Sequence, residues 1–499
     1  MSKNGSYRQI LRSTSIIGGA SIINIAVGLL RIKVAALLLG PAGVGLIGLL
    51  NSLAGTASAV AGLGFGNVGT RQIAEAVGLN DSVALAAARR ALFWGSLAMA
   101  FLGASVFWSM RGMLAVRVLG DASLADDVGW LALVVGLSVA AASQTALLNG
   151  MRQIRSLAWL SVLSALISTM LGAAALMLWG RSGLMAFLIA APLVSFLLGH
   201  LYVIRLPKVQ EPYTPLMILV GQLRIMVTLG AAFMAAGLVG MLGQLLVRAL
   251  VQRQLGIDAL GHFQAAATIS MTYIGFVLAA MGTDYYPRLT AAVHNHDAVN
   301  RMVNEQTEIA LLLSGPVFLG MMGLAPWVIE LLYSSSFHMA VDVLRWQILG
   351  DILKVISWPL GFILLAAGDG RRFLISESVG FGFFVIFTWL GLPWFGVEAT
   401  GIAFVGMYAV YLPIVYWSAR LRTGFRWAPS ICWSAGALIF LCALIKVTAI
   451  WSLSFGVVIC SFAALGFSVY TISRLYFLRV ISGSIAHACH CIIFGKWHV

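Results

Sequence analysis

The sequence predicts an all-α, polytopic membrane protein of about fourteen transmembrane helices, arranged as two six-helix lobes in parallel repeat with two extra helices at the C-terminus. Three observations predict it: composition, the placement of charge, and an internal repeat. The 499 residues are 61% hydrophobic and only 10% charged, with a mean hydropathy of +0.96. A water-facing surface needs roughly 25% charged residues. Apolar stretches of about 20 residues, the length that crosses a bilayer, follow one another with short polar connectors. This pattern leaves no room for a sizeable soluble domain.

The apolar runs predict helices over 13–39, 44–66, 88–110, 128–149, 157–179 and 183–204. A second group covers 221–247, 259–286, 309–333, 341–367, 373–394 and 397–418. Two more fall at 430–450 and 453–475. The expected domains are 1–208, a first six-helix lobe, 209–419, a second, and 420–499, two additional helices and a tail. Lys3, Arg8 and Arg12 precede the first apolar run. That run is too long for a signal-peptide core and no A-x-A site follows, so it reads as a retained helix.

Charge placement agrees with this layout. With the N-terminus in the cytoplasm, most Lys and Arg fall on cytoplasmic sides, as the positive-inside rule requires. Arg71, Arg89, Arg90, Arg152, Arg155, Arg205, Lys208, Arg371, Arg372, Arg420, Arg422 and Arg426 are among them. The C-terminus is then cytoplasmic too. The same placement accounts for most of the net charge of +14 through topology. No dense basic tract points to nucleic acid.

Residues 28–77 align without gaps on a segment of the second group. Leu39 meets Leu255, Gly40 meets Gly256, Gly45 meets Gly261, Thr56 meets Thr272 and Gly66 meets Gly282. An even number of helices separates the copies, so both insert the same way up. In transporters built this way, sites lie near mid-membrane where the halves meet.

Ionisable residues inside such helices are costly, at about 2.5–3.5 kcal/mol each, and mark function by default. Arg31 and Lys33 lie in the first helix and Arg248 in the seventh, at matching heights in the repeat. Ser21, Asn24, Gly28 and Arg31 share a helical face, as do Gln244, Arg248 and Gln252. Asn51 continues a face of small residues on the second helix. The cations either line a cavity or snorkel to an interface. In the tenth helix, Gln347, Asp351, Lys354 and Trp358 share one face. Asp351 and Lys354 are spaced to pair, and Glu377 lies in the eleventh helix. This acidic group reads either as a structural ion pair or as a carboxylate that binds an ion during a transport cycle. Asp284 and Glu330 sit near helix ends and read as structural.

Catalytic and metal sites find little support. The five cysteines form no CxxC pair. His487, Cys489, His490 and Cys491 read as a membrane-surface tail, and His294, His296 and Asp297 as a solvated loop. No Walker A motif occurs, and no cofactor is implied. An integral-membrane polysaccharide polymerase would need larger aqueous loops than those near 66–88 and 287–308. A multidrug exporter for organic cations needs an acidic, aromatic cavity, against the basic lean of the first and seventh helices.

LGPAGVGLIG after the first helix and GTRQIAEA after the second resemble a known family, as do YYPRLTAA, the stretch from ELLYSSSF to VLRWQILGDILKV, and RRFLISESVGF. Over residues 10–418 the chain resembles the Wzx-type polysaccharide flippases of the multidrug/oligosaccharidyl-lipid/polysaccharide exporter superfamily, which include O-antigen translocases and lipid III flippases. The resemblance implies a bacterial inner-membrane protein. Its substrate would be an oligosaccharide on undecaprenyl diphosphate, carried to the periplasmic leaflet by ion-coupled alternating access. Arg31, Lys33 and Arg248 would then meet the diphosphate, and Asn24, Asn51 and Gln244 the sugars. Asp351, Lys354 and Glu377 would couple the ion. Membrane lipid, a polysaccharide polymerase and a chain-length regulator are the implied partners.

Overall fold

The computed structural model describes the backbone of residues 3–206 and 216–477, with side chains from 18 onward except those of 216, 217, 232, 236, 276, 277, 279–284, 450, 453 and 477. The tail bearing His487, Cys489, His490 and Cys491, and the side chain of Asp284, lie outside the described residues. All regular structure among the described residues is helical. Eleven segments are long and apolar enough to cross a membrane. One of them contains a break at Gly40, and another is interrupted by a tight turn over Gly180–Gly183. Large apolar side chains face outward, including Phe101, Met170, Leu178 and Phe462. Trp179, Trp394 and Trp451 stand exposed at helix ends. Such a surface is stable only against lipid, with tryptophans at the interfaces.

The chain forms two compact units: Met1–Gly261 with Leu332–Ser334, and His262–Leu331 with Ser335–Val499. In the first unit, α1 spans Lys3–Gly62. It is two helices joined at Gly40, whose φ of 63° and ψ of −166° suit glycine alone. Pro41 follows and offers no N–H to continue the first helix. Then come α2 (Phe65–Gly78), α3 (Ser82–Ser109), the short α4 (Arg111–Leu114), α5 (Ala125–Gly150), α6 (Ile154–Trp179), α7 (Leu184–Ile204) and α8 (Leu216–Leu255). Helix α1 packs on α5, α6 and α8, and α3 packs on α5 and α8.

Helix α2 occupies a stretch that the hydropathy leaves as a connector. Phe65, Val68, Ile73 and Ala76 are buried on one face. Arg71 and Glu75 are exposed on the other. The helix is thus amphipathic and does not span. It joins a core with Ala91 and Leu92 of α3, Leu148 of α5 and Met226 of α8. Asp81 ends the connector, its carboxylate accepting the α3 amides of Val83 and Ala84 at 3.0 and 2.9 Å.

The repeat has a structural counterpart. Gly256 separates α8 from the next helix with a φ of 86°, as Gly40 breaks α1. Gly45 and Gly261, equivalent in the repeat, lie against each other. A Cβ on Gly45 would stand 2.5 Å from the Ile257 carbonyl oxygen and 2.7 Å from the Gly261 nitrogen. A Cβ on Gly261 would overlap the Pro41 carbonyl. Both obstacles are backbone, which cannot swing aside. Gly261→Ala is therefore expected to cost about 1–3 kcal/mol, read as a lowered thermal-unfolding midpoint in detergent. Gly28→Ala, with no atom within 4 Å of the new methyl, is the matched control and should leave the midpoint unchanged.

The second unit contains most of α9 (Ile257–Ala291), then α10 (His296–Leu332), α11 (Ala340–Ala366), α12 (Gly370–Phe395), α13 (Glu398–Thr423), α14 (Pro429–Trp451) and α15 (Leu453–Phe477). Helix α11 packs on α13 and α14, and α12 packs on α13. The final pair is fastened to this unit. Phe467 and Cys460 of α15 fill the spaces over Gly315 and Gly323 of α10, and the Arg474 guanidinium meets Glu308 at 2.8 Å. The Lys446 ammonium of α14 lies 3.4 Å from the centroid of the Trp346 ring. Asn300 and Asn304, at the polar start of α10, hold the turn before α14 by donating to the carbonyls of Thr423 and Arg426 at 2.8 and 3.1 Å.

Candidate functional site

Two groups of buried polar side chains stand out, one in each unit. In the first unit, Arg248 lies inside α8 with 7% of its surface exposed. One of its Nη atoms donates to both the carbonyl and the side-chain oxygen of Gln244, each at 3.1 Å. The i,i+4 spacing on one helix brings the two together. Gln244 thereby fixes the guanidinium within a helix that would otherwise be apolar at that height.

Arg31 is held differently. Its guanidinium lies 4.3 Å from the Phe187 ring centroid and donates to the Phe187 carbonyl at 2.8 Å. Arg31 therefore turns from α1 toward α7, and none of the described hydrogen bonds joins it to Arg248. Asn24 donates to the Ser161 hydroxyl of α6 at 2.8 Å, and its Oδ1 is buried with no partner among the described residues. Lys33 is half-buried and Asn51 is exposed.

In the second unit, Asp351 of α11 is fully buried. Its Oδ2 accepts the hydroxyls of Ser270 at 2.7 Å and Tyr273 at 2.6 Å, both on α9. Its Oδ1 is buried with no hydrogen-bond partner among the described residues. The spacing in sequence suits a pair with Lys354, yet the described ion pairs do not include one. The short Asp351 side chain reaches across to two hydroxyls on α9 instead. One turn of α9 separates Ser270 from Tyr273, so both meet the same oxygen.

Glu377 of α12 accepts the Tyr411 hydroxyl of α13 at 2.8 Å. Trp358, on the same face of α11 as Asp351, packs against Tyr285 and Phe362. Gln347 is buried and its Oε1 has no partner among the described residues. Ser270, Tyr273 and Tyr411 were not legible as site residues. Hydroxyls on apolar helices are common, and only the fold brings them to a carboxylate.

The arrangement offers a fixed cation inside one unit and a buried carboxylate with an open oxygen inside the other. Neither constellation resembles a catalytic centre with a nucleophile and a base.

The polysaccharide biosynthesis protein family matches residues 34–342, more than half of the sequence. The chain belongs to this family. Two relatives, the lipid III flippases of Escherichia coli (strain K12) and Shigella flexneri, are each 24% identical over 410 residues, covering 79% of this chain and 94% of theirs. Among solved structures, the lipid II flippase MurJ in an inward closed conformation superposes with a TM-score of 0.70 at 13% identity, over 93% of this chain and 100% of that one. An inward-facing multidrug resistance MATE family transporter of the MOP superfamily gives 0.64 at 17% identity, over 81% and 98%. The family member thus has the all-helical fold of that superfamily, as the sequence motifs led one to expect. Its named relatives are flippases and transporters, not enzymes.

Proposed function

We propose that this chain is a flippase that moves an oligosaccharide linked to undecaprenyl diphosphate from the cytoplasmic to the periplasmic leaflet of a bacterial inner membrane, with both of its termini cytoplasmic. The observation that carries this reading is Arg248, a guanidinium buried in a membrane helix and held by Gln244. An arginine inside a membrane helix marks a substrate or ion pathway by default. Diphosphate is the anion that the names of the relatives suggest, and a guanidinium binds it through two parallel hydrogen bonds. Lys33 adds charge on α1, and Asn24, Asn51 and Gln244 supply amides for sugar hydroxyls. Arg31, pinned on Phe187, contributes charge at a fixed place. An O-antigen unit or a similar surface polysaccharide repeat is the substrate class that fits.

The transport cycle is alternating access driven by an ion gradient. Asp351 receives the ion on Oδ1 while Ser270 and Tyr273 hold Oδ2 in place. Lys354 and Glu377 are the neighbours whose charges respond. A polysaccharide polymerase and a chain-length regulator act on the product. The fold is shared with multidrug exporters, but the basic residues of α1 and α8 favour an anionic substrate over an organic cation.

Depletion of the protein in its native cells tests the reading. Undecaprenyl diphosphate-linked oligosaccharide should accumulate on the inner leaflet, and its sugars identify the substrate. Unchanged levels of every such lipid would contradict the proposal.

A further inference from the structure

We propose that a cavity at the N-terminus of α2 is a binding site for the phosphate or diphosphate headgroup of a lipid. This site is separate from the buried cations. The inference rests on the flippase reading only for the choice between substrate and bulk lipid as the source of that headgroup.

The cavity has a volume of about 440 Å³ and lies within the first unit, where α1 ends, α2 begins, and α3, α5 and α8 close the sides. Its volume falls in the range of small-molecule pockets. The chain enters it in an unusual conformation. Leu63 and Gly64 have consecutive positive φ values of 44° and 66°. A leucine there is uncommon, and such residues gather at ligand clamps. Helix α2, 14 residues long, starts at Phe65 with no side chain capping it. The Gly64 carbonyl accepts the amides of Asn67 and Val68 at 3.1 and 3.3 Å. Phe65 and Gly66 form the first turn of α2, and both line the cavity. Free N–H groups and the helix dipole at such an end attract anions.

Two hydroxyls in the same cavity point independently to a ligand. Ser96 of α3 lines it with only 2% of its surface exposed. Its hydroxyl enters none of the described hydrogen bonds, whereas Ser143, also in the lining, donates to the Ala140 carbonyl at 2.8 Å. The Ser58 hydroxyl of α1 is buried with no partner among the described residues. A buried hydroxyl left unbonded carries a desolvation cost that a ligand oxygen would remove. Asn67 adds an amide at the rim.

Space is kept open by glycine. A Cβ on Gly55 or Gly237 would meet nothing within 4 Å. Among the described residues, no charged side chain lines the cavity. Neutral hydroxyl and amide donors suit the oxygens of an anionic headgroup. In the proposed orientation this end of α1 faces the cytoplasmic leaflet, where a lipid headgroup is collected before it crosses.

Asn67→Asp gives the discriminating test. An acidic residue in the first turn favours the helix through the dipole, so a purely structural role predicts unchanged or raised stability and unchanged ligand binding. At an anion site the new carboxylate repels the ligand. The full-length protein in detergent is titrated with undecaprenyl diphosphate, dioleoylphosphatidylglycerol and uncharged undecaprenol, with bound lipid counted by native mass spectrometry. Undecaprenyl diphosphate affinity is expected to fall about tenfold in Asn67→Asp, and by a smaller factor in Ser96→Ala, while undecaprenol is retained equally. Equal sensitivity of dioleoylphosphatidylglycerol assigns the site to bulk phospholipid; insensitivity assigns it to the carrier lipid. Unchanged binding of both anionic lipids in both variants overturns the site. If the wild-type protein still flips lipid-linked oligosaccharide in that case, the proposed function stands without it. If lipid binding depends on Asn67 but the wild type flips nothing, the site stands and the function does not.

Discussion

Arg248→Ala is expected to reduce transport about a hundredfold while the amount of protein in the membrane stays normal. The guanidinium is 7% exposed and bonded to its own helix through Gln244. Its removal takes a costly charge out of a membrane helix, so the level of protein in the membrane is expected to hold. Transport loses a charge-assisted contact worth about 1.5–3 kcal/mol, where each 1.36 kcal/mol is about tenfold in rate. Arg248→Lys should fall between the two. It keeps the charge but not the planar fork that grips a diphosphate. Initial flipping rates in proteoliposomes, normalised to protein by immunoblot, check both variants. Full activity of Arg248→Ala would remove the diphosphate contact from the mechanism.

Asp351→Asn is expected to uncouple the cycle. The amide carbonyl still accepts hydrogen bonds from Ser270 and Tyr273, which now hold Oδ2 at 2.7 and 2.6 Å. The variant should therefore fold and reach the membrane. It can neither ionise nor take up a proton or a cation in exchange for charge, so transport should lose its response to an imposed ion gradient. Asp351→Ala is a harsher change, because it leaves two buried hydroxyls unbonded at about 1–3 kcal/mol each. It should lower expression as well as transport. Flipping rates with and without an imposed proton or sodium gradient separate the two effects. A gradient response in Asp351→Asn equal to that of the wild type would exclude this residue from coupling.

These two variants act on residues that the sequence alone marks, and the reason is physical. A charge in the middle of an apolar helix stands out in one dimension. The breaks at Gly40 and Gly256 were also legible, because they occupy equivalent places in a repeat that keeps register through two helices. What surrounds the charges was not legible. Ser270 and Asp351 are 81 residues apart, and Arg31 finds its acceptor 156 residues away at Phe187. Hydropathy reports that a segment crosses the bilayer and says nothing of which neighbour its polar face meets.

The short amphipathic α2 is not legible in the sequence for a related reason. Its moderate polarity resembles that of a connector, and only the burial of Phe65, Val68 and Ile73 reveals a helix docked on its side. The start of α10 was hidden in the same way. Asn300 and Asn304 look like loop residues until they are seen clasping the turn before α14. The last two helices carried no sequence signal of a role. Their packing shows one: α15 seats on glycines of α10, and α14 sends Lys446 onto Trp346, whose indole N–H reaches Glu398 at 3.4 Å. They belong to the second unit.

Movement of a lipid-linked diphosphate oligosaccharide across a bilayer can be measured in vitro. The most direct test reconstitutes the purified protein into liposomes carrying undecaprenyl diphosphate-linked oligosaccharide extracted from its native cells. An impermeant glycosidase added outside reports how much of the substrate has crossed from the inner leaflet. Protein-dependent conversion of the protected pool is expected, strongly slowed by Arg248→Ala and made independent of an ion gradient by Asp351→Asn. A protected pool that stays intact over the same period, with the protein folded and correctly inserted, would contradict the proposed function.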